Sequence, residues 1–157
     1  MEFRTASMSR LEKVDEMIKK CANAAAMALD CTVTLTFGLS DFADMVRNYP
    51  LENKITELMA GYGLKVGDVP PASGSSDVGN VSYHCPAMQS MLSITDENFA
   101  LHTRDFRDAT LKPKAHDAMA KGACCLADLS LKIFNDASFR NTVYEAWQKE
   151  LKNKQSD

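Results

Sequence analysis

Residues 31–37 read CTVTLTF. Cys31, Val33, Leu35 and Phe37 fall on one face of an extended chain and three threonines on the other, the pattern of a half-exposed strand. Gly38 ends it. The opening residues, MEFRTAS, alternate in the same way, with Met1, Phe3 and Thr5 on one face and Glu2 and Arg4 on the other. Between the two, Ser9 and Glu12 have capping-box spacing. Leu11, Val14, Ile18, Cys21, Ala25 and Ala28 then recur at helical spacing, which predicts an amphipathic helix over Ser9–Leu29. The first forty residues thus read as strand–helix–strand. Two strands and one helix bury too little apolar surface to stand alone, so this pattern calls for a sheet partner elsewhere.

Further along, SDFADMVRNYP is a connector closed by Pro50. Leu51–Tyr62 is predicted helical, with Ile55, Leu58 and Met59 on one face and Gly61 and Gly63 stopping it. KVGDVPPASGSS is a loop, since Pro70-Pro71 excludes helix. PAMQSMLSI reads as a short buried strand, and TDENFALHTRDFRDAT as irregular and polar. Pro113 opens a strong helix over Lys112–Phe134. Asp136 and Ser138 open a last one over Phe139–Leu151, leaving 153–157 as a frayed tail. A boundary is expected between Ser40 and Pro50, separating a unit of residues 1–40 from one of 45–152.

The 157 residues suit one ordinary domain or two small lobes. A net charge of −3 without a basic run argues against a nucleic-acid surface. No apolar run is long enough to span a membrane, and the first ten residues have no signal-peptide core. Five scattered cysteines make a poor disulfide framework. Free, buried thiols in a reducing cytoplasm are the expectation.

Spacing alone discloses no complete active site. The three histidines, His84, His102 and His116, include no i, i+4 pair, and no phosphate loop or nucleophile elbow is present. His102 lies in a polar loop after an apolar run, where site residues often sit. The default roles of the others are packing or surface for His116, core or edge for His84, and a solvated edge charge for Arg4.

Three motifs in order carry a resemblance: GSSDVGNVSYHCPAMQ, then FALHT, then the helix that begins KPKAHDAMAKGACCLADLSLKIF. Together they resemble the carboxy-terminal part of the aminoacylase-type metallopeptidases, metallopeptidase family twenty, and within it the p-aminobenzoyl-glutamate hydrolase branch. That branch has G-S-T-D-V-G-D-V-S, L-H-T or L-H-S, and A-H-K-G-M. The match runs over roughly Gly74 to Leu151. The opening strand–helix–strand resembles half of the family's ferredoxin-like lid. The resemblance therefore implies an α/β fold, with a half lid before part of a zinc-peptidase-like catalytic domain.

The same resemblance implies two divalent metal ions, zinc or manganese, in the intact enzyme. It makes His102 the last metal ligand, Arg4 the grip on the substrate carboxylate and Asp77 a loop acid near the metal cleft. His84 stands where the branch has an aromatic or apolar residue, and AHDAM departs from A-H-K-G-M, so neither His84 nor His116 receives a role. The family's remaining ligands and its catalytic glutamate belong to a long amino-terminal segment with paired glutamates, and no Glu-Glu occurs here. The expected function is that of a fragment of an amidohydrolase acting on an N-acyl amino acid, a dipeptide or an aminobenzoyl-glutamate. Such a fragment is expected to be inactive alone, and to self-associate or bind a complementing amino-terminal segment. The alternative is a non-catalytic association module or an inactive remnant.

Overall fold

Apolar residues three and four apart dominate the second half of the chain, and they build its centre. The computed structural model describes residues 2–38, 40–67 and 74–156. Met1 and the Pro70-Pro71 pair of the expected loop lie outside them. Among the described residues six helices are formed: α1 Met8–Ala28, α2 Tyr49–Gly61, α3 Val78–Ser82, α4 Arg104–Ala109, α5 Pro113–Asn135 and α6 Ala137–Ser156. Helices α2, α5 and α6 pack on one another. Leu51, Ile55, Cys125, Leu129 and Val143 form their shared core, with Met59, Met88 and Phe139 packed at its margin.

The expected α/β fold is not formed. Among the described residues there is no strand. Residues 2–6 and 31–38 are irregular, and Phe3 and Thr5 are half-buried while Glu2, Arg4 and every residue of 31–38 are exposed. The alternation in sequence is real, but a strand is stable only when a neighbour takes up its N–H and C=O groups. No ladder partner meets these segments among the described residues. The apolar run 86–94 is likewise without a ladder. It lies across α5, where a Cβ on Gly122 would stand 2.6 Å from Leu92 Cδ1. Val33, Leu35 and Phe37 remain exposed, and the Lys19 ammonium sits 5.2 Å from the Phe37 ring centre.

Local chemistry sets the helix ends. α1 is preceded by Ser7, which makes no side-chain cap, and not by the expected Ser9. The N–H of Met8 instead donates to Asp44 Oδ1 at 3.1 Å. At the other end Asp30 takes φ 50°. The Asp30 and Cys31 N–H groups close on the Met27 and Ala26 carbonyls, a Schellman turn around a non-glycine residue. Gly63, at φ 71°, makes the same turn after α2. α2 begins two residues before the predicted start, because Asn48 caps it by accepting from the Leu51 N–H and Pro50 fits the first turn. Asp136 caps α6 through the Phe139 N–H at 2.9 Å. α6 continues through Ser156. α4 falls in the stretch expected to be irregular. Of the free cysteines only Cys125 is buried; Cys21, Cys31, Cys85 and Cys124 are exposed.

Candidate functional site

The GSSDVGNVS stretch folds as a clasp on the connector 41–46. Gly79 approaches that backbone so closely that a Cβ would stand 1.9 Å from the Ala43 carbonyl oxygen. Asn80 accepts from the Ala43 N–H at 3.1 Å and donates to the Asp41 carbonyl at 2.9 Å. Its amide thereby stands in for a strand neighbour at both groups. Ser82, fully buried, accepts from the Val46 N–H at 2.9 Å and donates to the Gly79 carbonyl at 2.6 Å. The Trp147 indole N–H donates to the Ser82 carbonyl at 2.7 Å, and the Asn48 amide donates to the Val143 carbonyl at 2.9 Å. These bonds tie α3 and the connector to α6.

Asp44 joins four parts of the chain. Its Oδ1 accepts from the Met8 N–H and from the Tyr83 hydroxyl, 3.1 Å each, while Lys154 of α6 pairs with Oδ2. Burial works to raise the Asp44 carboxyl. The hydrogen bonds from Lys154, Met8 and Tyr83 outweigh it and hold the group below its ordinary value. Burial and the bond to Asp44 push the Tyr83 hydroxyl up to about 12.

Against this clasp lies an open cavity of about 900 Å³. The 2–8 segment, one face of α1, residues 35–38, the connector and the loop Gly74–Ser76 surround it. Phe3, Leu11, Ile18 and Phe42 give it apolar walls; Arg4, Asp15 and Asp41 give it charge. The Arg4 guanidinium pairs with Glu2 at 2.7 Å, and both side chains are well exposed. Such a pair is held weakly and is readily exchanged for another carboxylate.

The sequence-predicted residues are only partly brought together. Arg4 shares the cavity with the loop Gly74–Ser76, which leads directly to Asp77. Asp77 itself is exposed, stands just before α3 and makes no side-chain cap. His102 is exposed and sits at φ 65°, ahead of Thr103. The Thr103 Oγ1 accepts from the Phe106 N–H at 3.3 Å and donates to the Ala100 carbonyl at 2.8 Å. The LHT motif thus fixes the entry to α4 and holds His102 in a backbone conformation uncommon for a non-glycine residue. His84 and His116 are exposed as well.

Among the described residues no three His, Cys, Asp or Glu side chains gather in a way that could hold a metal ion. By themselves these donors do not make up the dinuclear site implied by the resemblance. Nor, among the described residues, is any helix long and apolar enough to cross a membrane.

The curated relatives found by comparison are dipeptidases. The chain is similar to the Xaa-Arg dipeptidase of Mus musculus, 28% identical over 154 residues. It is similar also to the Xaa-Arg dipeptidase of Homo sapiens, 26% identical over 157 residues. These alignments take in 96% and 98% of the chain but 35% and 36% of the relatives. The chain thus spans about a third of the length of the curated relatives it matches. No family model matches it. The distant similarity supports kinship with peptidases.

Asp44, Asn48, Ser82, Tyr83 and Lys154 went unrecognised in the sequence, because their pairings join residues far apart in the chain. Asn48 alone carried a signal, the N-Y-P-L-E run of a capped helix start with proline in its first turn.

Proposed function

We propose that this chain supplies the carboxylate-binding part of a dipeptidase-type hydrolase acting on the amide bond of a dipeptide or N-acyl amino acid. In this reading, the groups that activate water come from polypeptide outside these 157 residues. The observation that carries it is the placing of Arg4, with Asp15 and Asp41, in one cavity against the GSSDVGNVS clasp. Similarity to Xaa-Arg dipeptidases along nearly the whole chain supports it.

Arg4 exchanges Glu2 for the substrate's free carboxylate, making a bidentate charge-assisted pair. A cationic substrate side chain, as in a carboxy-terminal arginine, would be met by Asp15 or Asp41 on the same walls. The apolar walls take the stem of that side chain. His102 is assigned as a ligand, and Asp77 as a neighbouring acid, in a metal site completed from outside the chain. The uncommon backbone of His102 supports the assignment, since such conformations cluster at functional positions.

Calorimetric titration of the chain with an Xaa-Arg dipeptide tests the reading. Arg4→Ala, or a dipeptide with its carboxylate amidated, is expected to weaken binding about tenfold or more. Binding indifferent to both changes, or no saturable binding, would contradict it. A second reading, a non-catalytic association module, is favoured by the absence of a metal-ligand group among the described residues. No saturable dipeptide binding would support that reading.

A further inference from the structure

Helix α1 gives the cavity a single charged side chain. Besides Met8 at its start, Leu11, Asp15, Ile18 and Ala22 of α1 line the cavity, and all four are half-buried. With about 100° of turn per residue, these four fall within about 60° of one another round the helix. This is the apolar face of an amphipathic helix, and such a helix ordinarily keeps its charge away from that face. Arg10, Glu12, Lys13, Glu16 and Lys20 obey the rule: they are exposed and line no part of this cavity. Asp15 breaks it. Leu11 lies one turn before it and Ile18 three residues after, while Leu35 and Phe37 line the same cavity.

Among the described residues the Asp15 carboxylate makes no hydrogen bond and no ion pair. It acts on Lys19, one turn further on, only through its charge. The Lys19 ammonium donates instead to Glu16 at 2.8 Å and lies 5.2 Å from the Phe37 ring centre. A carboxylate taken partly out of water without a counter-ion is held at a cost, and a cation entering the cavity offsets it. Of the other acids on these walls, Glu2 is paired with Arg4 and Asp44 with Lys154. Asp41 is exposed, and water screens an exposed carboxylate.

Resting on the function proposed above, we propose that Asp15 is the acid that sets side-chain specificity. With Arg4 on the substrate carboxylate, Asp15 pairs with a cationic side chain on the same residue, arginine or lysine. Leu11 and Ile18, on either side of Asp15 along α1, pack on the methylene stem of that side chain. A dipeptide ending in an apolar residue keeps the Arg4 pair and leaves Asp15 without a counter-ion. Discrimination is the difference between these two affinities.

Calorimetric titration of the full chain with glycyl-arginine and with glycyl-leucine is the test. The natural chain is expected to bind glycyl-arginine about tenfold more tightly. Asp15→Asn, which keeps the shape and removes the charge, is expected to bring the two affinities together by weakening glycyl-arginine alone. Glu12→Gln, which removes an acid of α1 outside the cavity, is expected to change neither. Circular dichroism checks that both variants keep their helices. An arginine preference that survives Asp15→Asn would overturn the assignment, and so would equal affinities in the natural chain. An equal loss of both peptides in Asp15→Asn would also overturn it, placing Asp15 on the shared amino group or in a structural role. Should the proposed function itself fail, neither peptide binds, or both bind unaffected by Arg4→Ala; that outcome overturns the assignment of Asp15 as well.

Discussion

Gly79 and Ala43 pack backbone to backbone: a Cβ on Gly79 would lie 1.9 Å from the Ala43 carbonyl oxygen and 2.9 Å from its carbon. Neither atom belongs to a flexible side chain, so a methyl group cannot be absorbed by a rotamer change. Gly79→Ala is expected to destabilise the chain by about 3 kcal/mol, at the upper end for overpacking. Urea unfolding checks this, with Gly74→Ala as the control, since nothing lies within 4 Å of a Cβ there. Equal midpoints for the two variants would show that the clasp is not formed.

Ser82 holds the other end of the same contact. Ser82→Ala leaves the Val46 N–H without its acceptor in a fully buried place. The expected loss is about 1–3 kcal/mol, measured by the same unfolding series.

Asp44 and Tyr83 set the pH window. The folded-state pKa of Asp44 lies below the ordinary carboxylate value. Its contribution is therefore complete above the unfolded pKa and fades as pH falls through the lower, folded one. Tyr83 is pushed up from 10.0 to about 12. Its contribution is complete below the unfolded value and is lost as pH rises through the folded one. Asp44→Asn is expected to cost about 1–3 kcal/mol at neutral pH and to flatten the acid side of a plot of melting temperature against pH. Tyr83→Phe is expected to flatten the alkaline side. Unaltered profiles would contradict both assignments.

Asp30 and His102 are the two non-glycine residues with positive φ among those described. Asp30 ends a helix, where glycine is the usual occupant. Asp30→Gly is expected to raise stability by about 0.5–1 kcal/mol. His102→Gly is expected to do the same, and in the proposed function it would also remove a ligand. Thermal unfolding of each variant measures the gain. A loss of stability on His102→Gly would mean that the imidazole is held by packing.

The helices were legible in sequence because each needs only its own periodicity and ends. α1, α2 and α5 lie within two residues of their predicted spans, while α6 runs from Ala137 to Ser156, five residues past the predicted Leu151. Strands need a partner, and alternation in MEFRTAS and CTVTLTF could not disclose whether one was present. The short α3 and α4 were hidden for another reason. Gly79, Asn80 and Thr103 look like loop residues until the backbone each of them meets is known. Of the candidate site, Arg4 and the Gly74–Ser76 loop come together at one cavity. His102 and Asp77 rest on motif order, which carries no information on which side chains converge.

The proposed function gives this chain part of a dipeptidase-type site, with the water-activating groups on further polypeptide. Hydrolysis of an N-acyl amino acid and of an Xaa-Arg dipeptide by the purified chain, with zinc or manganese added, tests it most directly. No turnover above the metal-only blank is expected, from the natural chain or from His102→Ala. Turnover by this chain alone, abolished both by a chelator and by His102→Ala, would contradict it.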